Sequence, residues 1–215
     1  MKVFYTKKLN LKEELEKVGK VFLIKNASSK VEVTINNSKI EVDLKDVLEF
    51  LANQGYDFVI LDNNVSNAEA ESVEEVLNLE DFETLTSLIK NVKKNERSKE
   101  CGAIGIFVGF VREISDGKRV LRLEYEKFDE IFEKKLREIE EKLKKHEGVV
   151  DVKIHHKSGV LMPKEDIVYV VVMGKHRKDV WEPLIKSMEI IKKELPIWKK
   201  EIFSNGEIWV HDKKD

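Results

Sequence analysis

Residues 103–126 read AIGIFVGFVREISDGKRVLRLEYE. Two apolar runs, 103–111 and 120–126, are rich in β-branched and aromatic residues and short enough to be strands. Between them lies REISDGKR, where Asp116-Gly117 is a dipeptide that turns a hairpin at little steric cost. The reading is two strands joined through that turn. Everything downstream is organised around them.

The next segment, FDEIFEKKLREIEEKLKKH, places Phe128, Phe132, Leu136, Ile139 and Leu143 at spacings of four, four, three and four. That is one apolar helix face with a heavily charged back, and the phenylalanines read as core. VVDVKIHH (149–156) and DIVYVVVM (166–173) are further strands, separated by SGVLMPKE. KDVWEPLIKSMEIIKKEL (178–195) is a second long helix on Leu184, Met188, Ile191 and Leu195, with Pro183 in its first turns. Pro196 then ends or kinks it. The sequence continues through ELPIWKKEIF (194–203), where paired lysines follow a proline and a tryptophan.

Upstream, KNVKKNERSKE (90–100) is the most polar stretch, and the charge balance changes across it from an acidic to a basic excess. All three tryptophans and all three prolines lie beyond it, so a domain boundary is expected near residue 97. The first part alternates in type. VFY (3–5), VFLI (21–24), VEVTI (31–35) and YDFVILD (56–62) read as strands. LKEELEKV (11–18), VDLKDVLEFLANQG (42–55) and DFETLTSLIKNV (81–92) read as helices, the last with Asp81 as its cap. A small α/β layer domain at 1–97, followed by an α/β (α+β) domain at 98–215, is the expected organisation. The loop after the first strand, TKKLNLKEE, has neither glycine nor GK[ST], so no phosphate-cradling loop is present.

Composition narrows the function. The formal net charge is −2, which speaks against bulk binding to nucleic acid or to an anionic membrane. No apolar run approaches the ~18 residues of a membrane span, and MKVFYTKK is no signal peptide, so a cytoplasmic location is expected. The single cysteine, Cys101, can form no internal disulfide and has no readable activating neighbour. The five histidines (146, 155, 156, 176 and 211) form no i, i+4 pair and no HExxH, so no metal site is expected. His155 and His156 are neighbours in a strand and point to opposite faces.

What remains is a set of cations beside breaks in regular structure. Arg112 follows the strand at 103–111. His176 and Arg177 lie at a helix start, where free N–H groups also favour anions. Lys192 and Lys193 occupy the last turn of that helix, and Lys199 and Lys200 follow PIW. Lysines in a last turn also follow from the helix dipole alone. The set reads either as solvated element ends or as an anion-binding pocket.

GFVRE (109–113), LEYEKFDE (123–130), KIHHKSGVL (153–161), GKHRKDV (174–180), KKELPIWKKE (192–201) and GEIWV (206–210) appear in that order. Together they resemble the catalytic large subunit of molybdopterin synthase over residues 100–212. The resemblance implies an α/β hammerhead fold and a homodimer forming the core of a heterotetramer. It also implies sulfur insertion into cyclic pyranopterin monophosphate, with no cofactor. The sulfur donor is then the C-terminal Gly-Gly thiocarboxylate of a small ubiquitin-like carrier. This chain closes with HDKKD and cannot donate itself. By the same resemblance Lys192 and Lys199 are catalytic. Arg112, His176, Arg177, Lys200 and Glu201 contact substrate. Phe110 stands where some members carry lysine, and His156 where arginine is common. The first part weakly resembles P-loop adaptors of molybdopterin-guanine dinucleotide biosynthesis, without their loop, and reads as a scaffold or docking domain. The rival reading is a module using the same cations for a nucleotide or RNA. The charge balance and the lack of a stacking signature disfavour it.

Overall fold

The computed structural model describes residues 1–8, 10–35, 38–64, 68–79 and 81–210. His211 and the HDKKD end therefore lie outside the described residues. Two compact units are present, Met1–Ser87 and Leu88–Asp215.

The first unit contains β1 (Lys2–Tyr5), α1 (Leu11–Leu15), β2 (Val21–Ile24), β3 (Lys30–Ile35), β4 (Ser38–Asp43), α2 (Leu44–Asn53), β5 (Phe58–Leu61) and α3 (Val73–Asn78). β1, β5 and β2 form a parallel sheet in that order. β5 is buried along its length, as a central parallel strand should be. β3 and β4 form a separate hairpin. Thus residues 42–43, read as the start of a helix, are the end of a strand. Asp43 is the extended residue just before α2.

Helix α4 (Leu85–Lys93) runs across the division at Ser87/Leu88, so the units part inside a helix, upstream of the charged stretch at 90–100. Asp81 does not cap it. Its carboxylate accepts from the N-terminal ammonium at 3.2 Å and pairs with Lys2 at 3.3 Å. Ser87 and Thr84 instead exchange hydrogen bonds at the helix entry.

In the second unit a 3-10 turn (Glu96–Glu100) leads into β6 (Ala103–Phe110) and β7 (Ile114–Ser115). Then come β8 (Lys118–Lys127), α5 (Asp129–Lys144), β9 (Val149–His156), β10 (Gly159–Leu161), β11 (Asp166–Gly174), α6 (Lys178–Glu194), β12 (Ile197–Phe203) and β13 (Gly206–Val210). The expected mixed α/β class is borne out. Asp116 and Gly117 both have positive φ (50° and 74°), as a tight hairpin turn requires. That turn joins β7 to β8, whereas β6 belongs to a different sheet. One sheet has the order β6-β11-β9, the other β10-β8-β12-β13 with β7 on β8. The segment 111–113 is where the chain leaves the first sheet for the second.

α5 and α6 cover one face of the β6-β11-β9 sheet. Their Phe132, Leu136, Ile139, Leu143, Val180, Leu184 and Ile191 form one core with Val152, Ile154, Val168, Val170 and Val172. Phe128, at the cap of α5, is half exposed and outside that core.

β9 is a sheet edge, and its outward N–H groups are taken by carboxylates. Ile154 donates to Glu140 of α5 at 2.8 Å, and Val152 donates to the side chain of Asp151 at 2.9 Å. Glu140 is buried, with Lys153 at 3.4 Å. Burial pushes its carboxyl above the ordinary glutamate range, although the Ile154 N–H and Lys153 oppose the shift. The folded state therefore holds its proton to higher pH than the unfolded chain, and this group's contribution to stability falls as pH rises through that window. Glu140→Gln keeps an acceptor for Ile154 and cannot titrate. In denaturant titrations between pH ~4 and ~7, wild type is expected to lose stability relative to Glu140→Gln as pH rises. A difference that stays constant with pH would contradict this.

Candidate functional site

The turn between β11 and α6 is pinned through its backbone. Asp179, in the first turn of α6, accepts the N–H of His176 at 2.8 Å and donates its own N–H to the His176 carbonyl at 3.0 Å. Lys175 donates to the Gly148 carbonyl at 2.8 Å, and Gly102 donates to the Lys175 carbonyl at 3.0 Å. With the backbone held, the His176 and Arg177 side chains stand exposed at the start of α6. A short chain reversal here sends α6 back along β11. Val180 lies against Gly105 and Gly174 at the turn end of the sheet.

At the other end of α6, Lys192 is exposed in the last turn. Leu195 leaves the helix in an extended conformation, Pro196 accepts from the Phe128 N–H at 3.2 Å, and β12 begins at Ile197. IWKKEIF is thus a strand, paired on one side with β8 and on the other with β13.

Strand alternation separates the paired lysines. Lys199 shares a face with Glu201, which is buried, and their ion pair is 2.6 Å long. The residue opposite Lys199 on β8 is Tyr125, which meets His156 edge-on at 5.1 Å between ring centroids. Burial, and then the Glu201 charge, push the Tyr125 phenol well above its ordinary range, so it stays a neutral donor. Lys200 points to the other face, pairs with Glu207 at 2.8 Å and lies 5.4 Å from the Trp209 ring. Trp198, on that same face, is half exposed and anchors no turn.

Arg112 is exposed just past β6. Phe110 lies beside Asp166, the first residue of β11, while Ala103 lies beside Gly174 at its end. Arg112 and the His176–Arg177 turn therefore sit at opposite ends of a sheet about 26 Å long. Arg177 and Lys192 are likewise about 22 Å apart along one helix. The unit thus brings Arg112, Lys192 and Lys199 to one end, Lys199 and Glu201 into contact, and His176 with Arg177 to the other end.

Sequence reasoning missed Tyr125 and the role of Glu201 as a buried partner of Lys199. Both depend on the β8–β12 pairing, for which no local signal exists. Cys101 is half-buried, and burial together with Glu100 pushes its thiol up, which keeps it protonated at neutral pH. No cluster of three metal-ligating side chains occurs among the described residues. No described helix is long and apolar enough to cross a membrane.

These features define an α/β protein that presents cations at element ends, suited to anionic ligands. The family described as MoaE protein matches residues 79–194. The chain belongs to that family, the catalytic subunits of molybdopterin synthase, which serve molybdenum cofactor biosynthesis. It is 36% identical over 160 residues to a probable molybdopterin synthase of Haloferax volcanii, covering 70% of this chain and 61% of that protein. To the molybdopterin synthase catalytic subunit of Bacillus subtilis it is 38% identical over 123 residues, covering 57% and 78%. The crystal structure of molybdopterin synthase from Staphylococcus aureus superposes with a TM-score of 0.50 at 36% identity, covering 53% of this chain and 83% of that one.

Gly148 ties the α5–β9 turn to the site. Its φ is +78°, and a Cβ there would come within 2.3 Å of Asp179 Cγ, the carboxylate that holds His176. Gly148→Ala is expected to cost about 1–3 kcal/mol in backbone strain alone, with the steric overlap added. Urea denaturation should show the loss, and unchanged stability would mean that the turn and Asp179 are not held together.

Proposed function

We propose that this chain carries out the sulfur transfer of molybdopterin synthesis. The sulfur comes from the C-terminal thiocarboxylate of a small ubiquitin-like carrier and goes to cyclic pyranopterin monophosphate. The observation that carries the reading is the ion pair between Lys199 and buried Glu201, on the strand that directly follows the helix bearing Lys192. The reaction brings together two anions, a thiocarboxylate and a cyclic phosphate. Arginine suits bidentate contact with phosphate, and ammonium groups neutralise charge that develops during acyl and sulfur transfer.

Within this reading Lys192 handles the proton or forms the transient bond during sulfur attack. Lys199, its orientation fixed by Glu201, stabilises developing negative charge. Arg112, at the same end of the unit, takes an anionic substrate group. Lys200 faces away from Lys199 and supports the strand through Glu207 and Trp209. Glu201 acts as a positioning residue. His176 and Arg177 contact substrate from a second copy of the chain, because a small substrate at Lys192 lies beyond their reach in the same copy. The working assembly is then a homodimer carrying one carrier subunit per site. The N-terminal domain of 1–97, with no glycine loop after β1, serves as an accessory scaffold and leaves catalysis to 98–215.

The test is molybdopterin formation from purified protein, thiocarboxylated carrier and cyclic pyranopterin monophosphate. Lys192→Ala is expected to lose about 100-fold or more in rate, the scale of a lost acid–base group. Near-normal turnover would end the proposal.

A further inference from the structure

Beside Lys199 stands a polar group whose hydrogen-bonding capacity the protein does not use. Tyr125 of β8 lies directly opposite Lys199 of β12 on one side and Gly159 of β10 on the other. Residues in one such cross-strand row share a face, so the phenol and the ammonium project together. Tyr125 is 9% exposed, in one core with Val111, Leu123 and Leu161. Its ring meets His156 edge-on, and the His156 Nδ1 donates to the Lys157 carbonyl at 2.8 Å, which fixes the imidazole in turn. The Tyr125 hydroxyl makes no hydrogen bond to any described residue. A buried phenol normally finds a partner, as Tyr169 of the same unit does by donating to Asp166 at 2.7 Å. Among the described residues no fully buried side-chain polar atom is left unpaired, so the tip of Tyr125 reaches open space.

We propose that the Tyr125 hydroxyl is a ligand-contacting group of this site, donating a hydrogen bond to the anionic ligand oxygen that Lys199 neutralises. The inference rests on the sulfur-transfer reading. Strand register and the His156 ring hold the hydroxyl beside Lys199, so its position does not depend on a loop. The row continues into Gly159, where a Cβ would meet nothing within 4 Å, so no β10 side chain closes over the phenol. The Lys199 charge is already offset by Glu201 at 2.6 Å, and that carboxylate repels an incoming anion. A second donor on the same face makes up for this. Burial and the Glu201 charge keep the phenol protonated, so it can donate without adding a charge of its own. Hydrogen bonds to an ionised acceptor are the strong ones. Two ligands of the reaction carry such an oxygen, the thiocarboxylate end of the carrier and the cyclic phosphate of the pterin.

Tyr125→Phe removes the hydroxyl and keeps the ring against His156. In single-turnover molybdopterin formation by the full-length chain with thiocarboxylated carrier, its rate is expected to fall on the order of 10- to 100-fold, the scale of one hydrogen bond to a charged group. Its urea midpoint should not move. Replacing Tyr125 with 3-fluorotyrosine retains the hydroxyl and should keep a near-wild-type rate at neutral pH. Equal losses in both variants would mean that ring packing matters and the hydroxyl does not, which overturns the inference. Calorimetry with the unmodified carrier alone, and with cyclic pyranopterin monophosphate alone, assigns the oxygen. A weaker Kd of Tyr125→Phe for the carrier puts the contact on its carboxyl end, and a weaker Kd for the pterin puts it on the phosphate. Slower turnover with both Kd values unchanged puts it on an oxygen that gains charge only during the reaction. A wild-type rate and both wild-type affinities in Tyr125→Phe would overturn the inference and leave the sulfur-transfer reading standing. An inactive wild type would overturn both.

Discussion

The length of α6 fixes how far apart the two groups of cations in this unit stand. β11 runs to Gly174 and the helix carries the chain back along it, so every residue added to the helix moves its two ends further apart. At 1.5 Å per residue, the helix holds Arg177 and Lys192 about 22 Å apart, more than a small substrate spans. The core enforces this. Val180, Leu184 and Ile191 share one core with Val168, Val170 and Val172 of β11, and the helix is continuous through Pro183. Pro183 is the sixth residue of the helix, so the bond that a residue there would donate to the Asp179 carbonyl is forgone.

The second constraint is strand pairing around β12. Pro196 ends the helix, and the strand that follows is gripped by β8 and β13, which leaves little freedom for Lys199. Its ammonium is held by a carboxylate that is itself buried, so the pair is screened far less than a surface ion pair. Lys200 differs in chemistry although adjacent in sequence. Its side chain is less exposed than that of Lys199, but its partner Glu207 is exposed, and an indole ring lies alongside.

Periodicity made much of this fold legible in the sequence. The buried face of α5, the apolar side of α6, the Asp116-Gly117 turn and the opposed faces of His155 and His156 all follow from local spacing. Partners distant in sequence were not legible. The turn at 116–117 looked like a link between two long strands, yet the short β7 intervenes and β6 joins another sheet. β4 was hidden because its six residues are mostly exposed and merge into the helix that follows. Asp81 matched a cap in type and position, but the N-terminus and Lys2 claim its carboxylate. In the site, the cations were visible as residues beside breaks. Their separation into two ends, and of Lys199 from Lys200 by face, required knowing that IWKKEIF is a strand and that α6 is unbroken.

The alternation along β12 has an evolutionary consequence. A single inserted or deleted residue between Pro196 and Lys199 would present Lys200 or Trp198 where Lys199 now stands, with the fold otherwise intact. The chain can absorb length changes in the Ser204–Asn205 turn between β12 and β13, but the span from helix end to lysine is fixed. Natural variation is therefore expected as substitutions in that span and as insertions only beyond it. A relative that breaks this pattern would have moved the equivalent lysine to another strand.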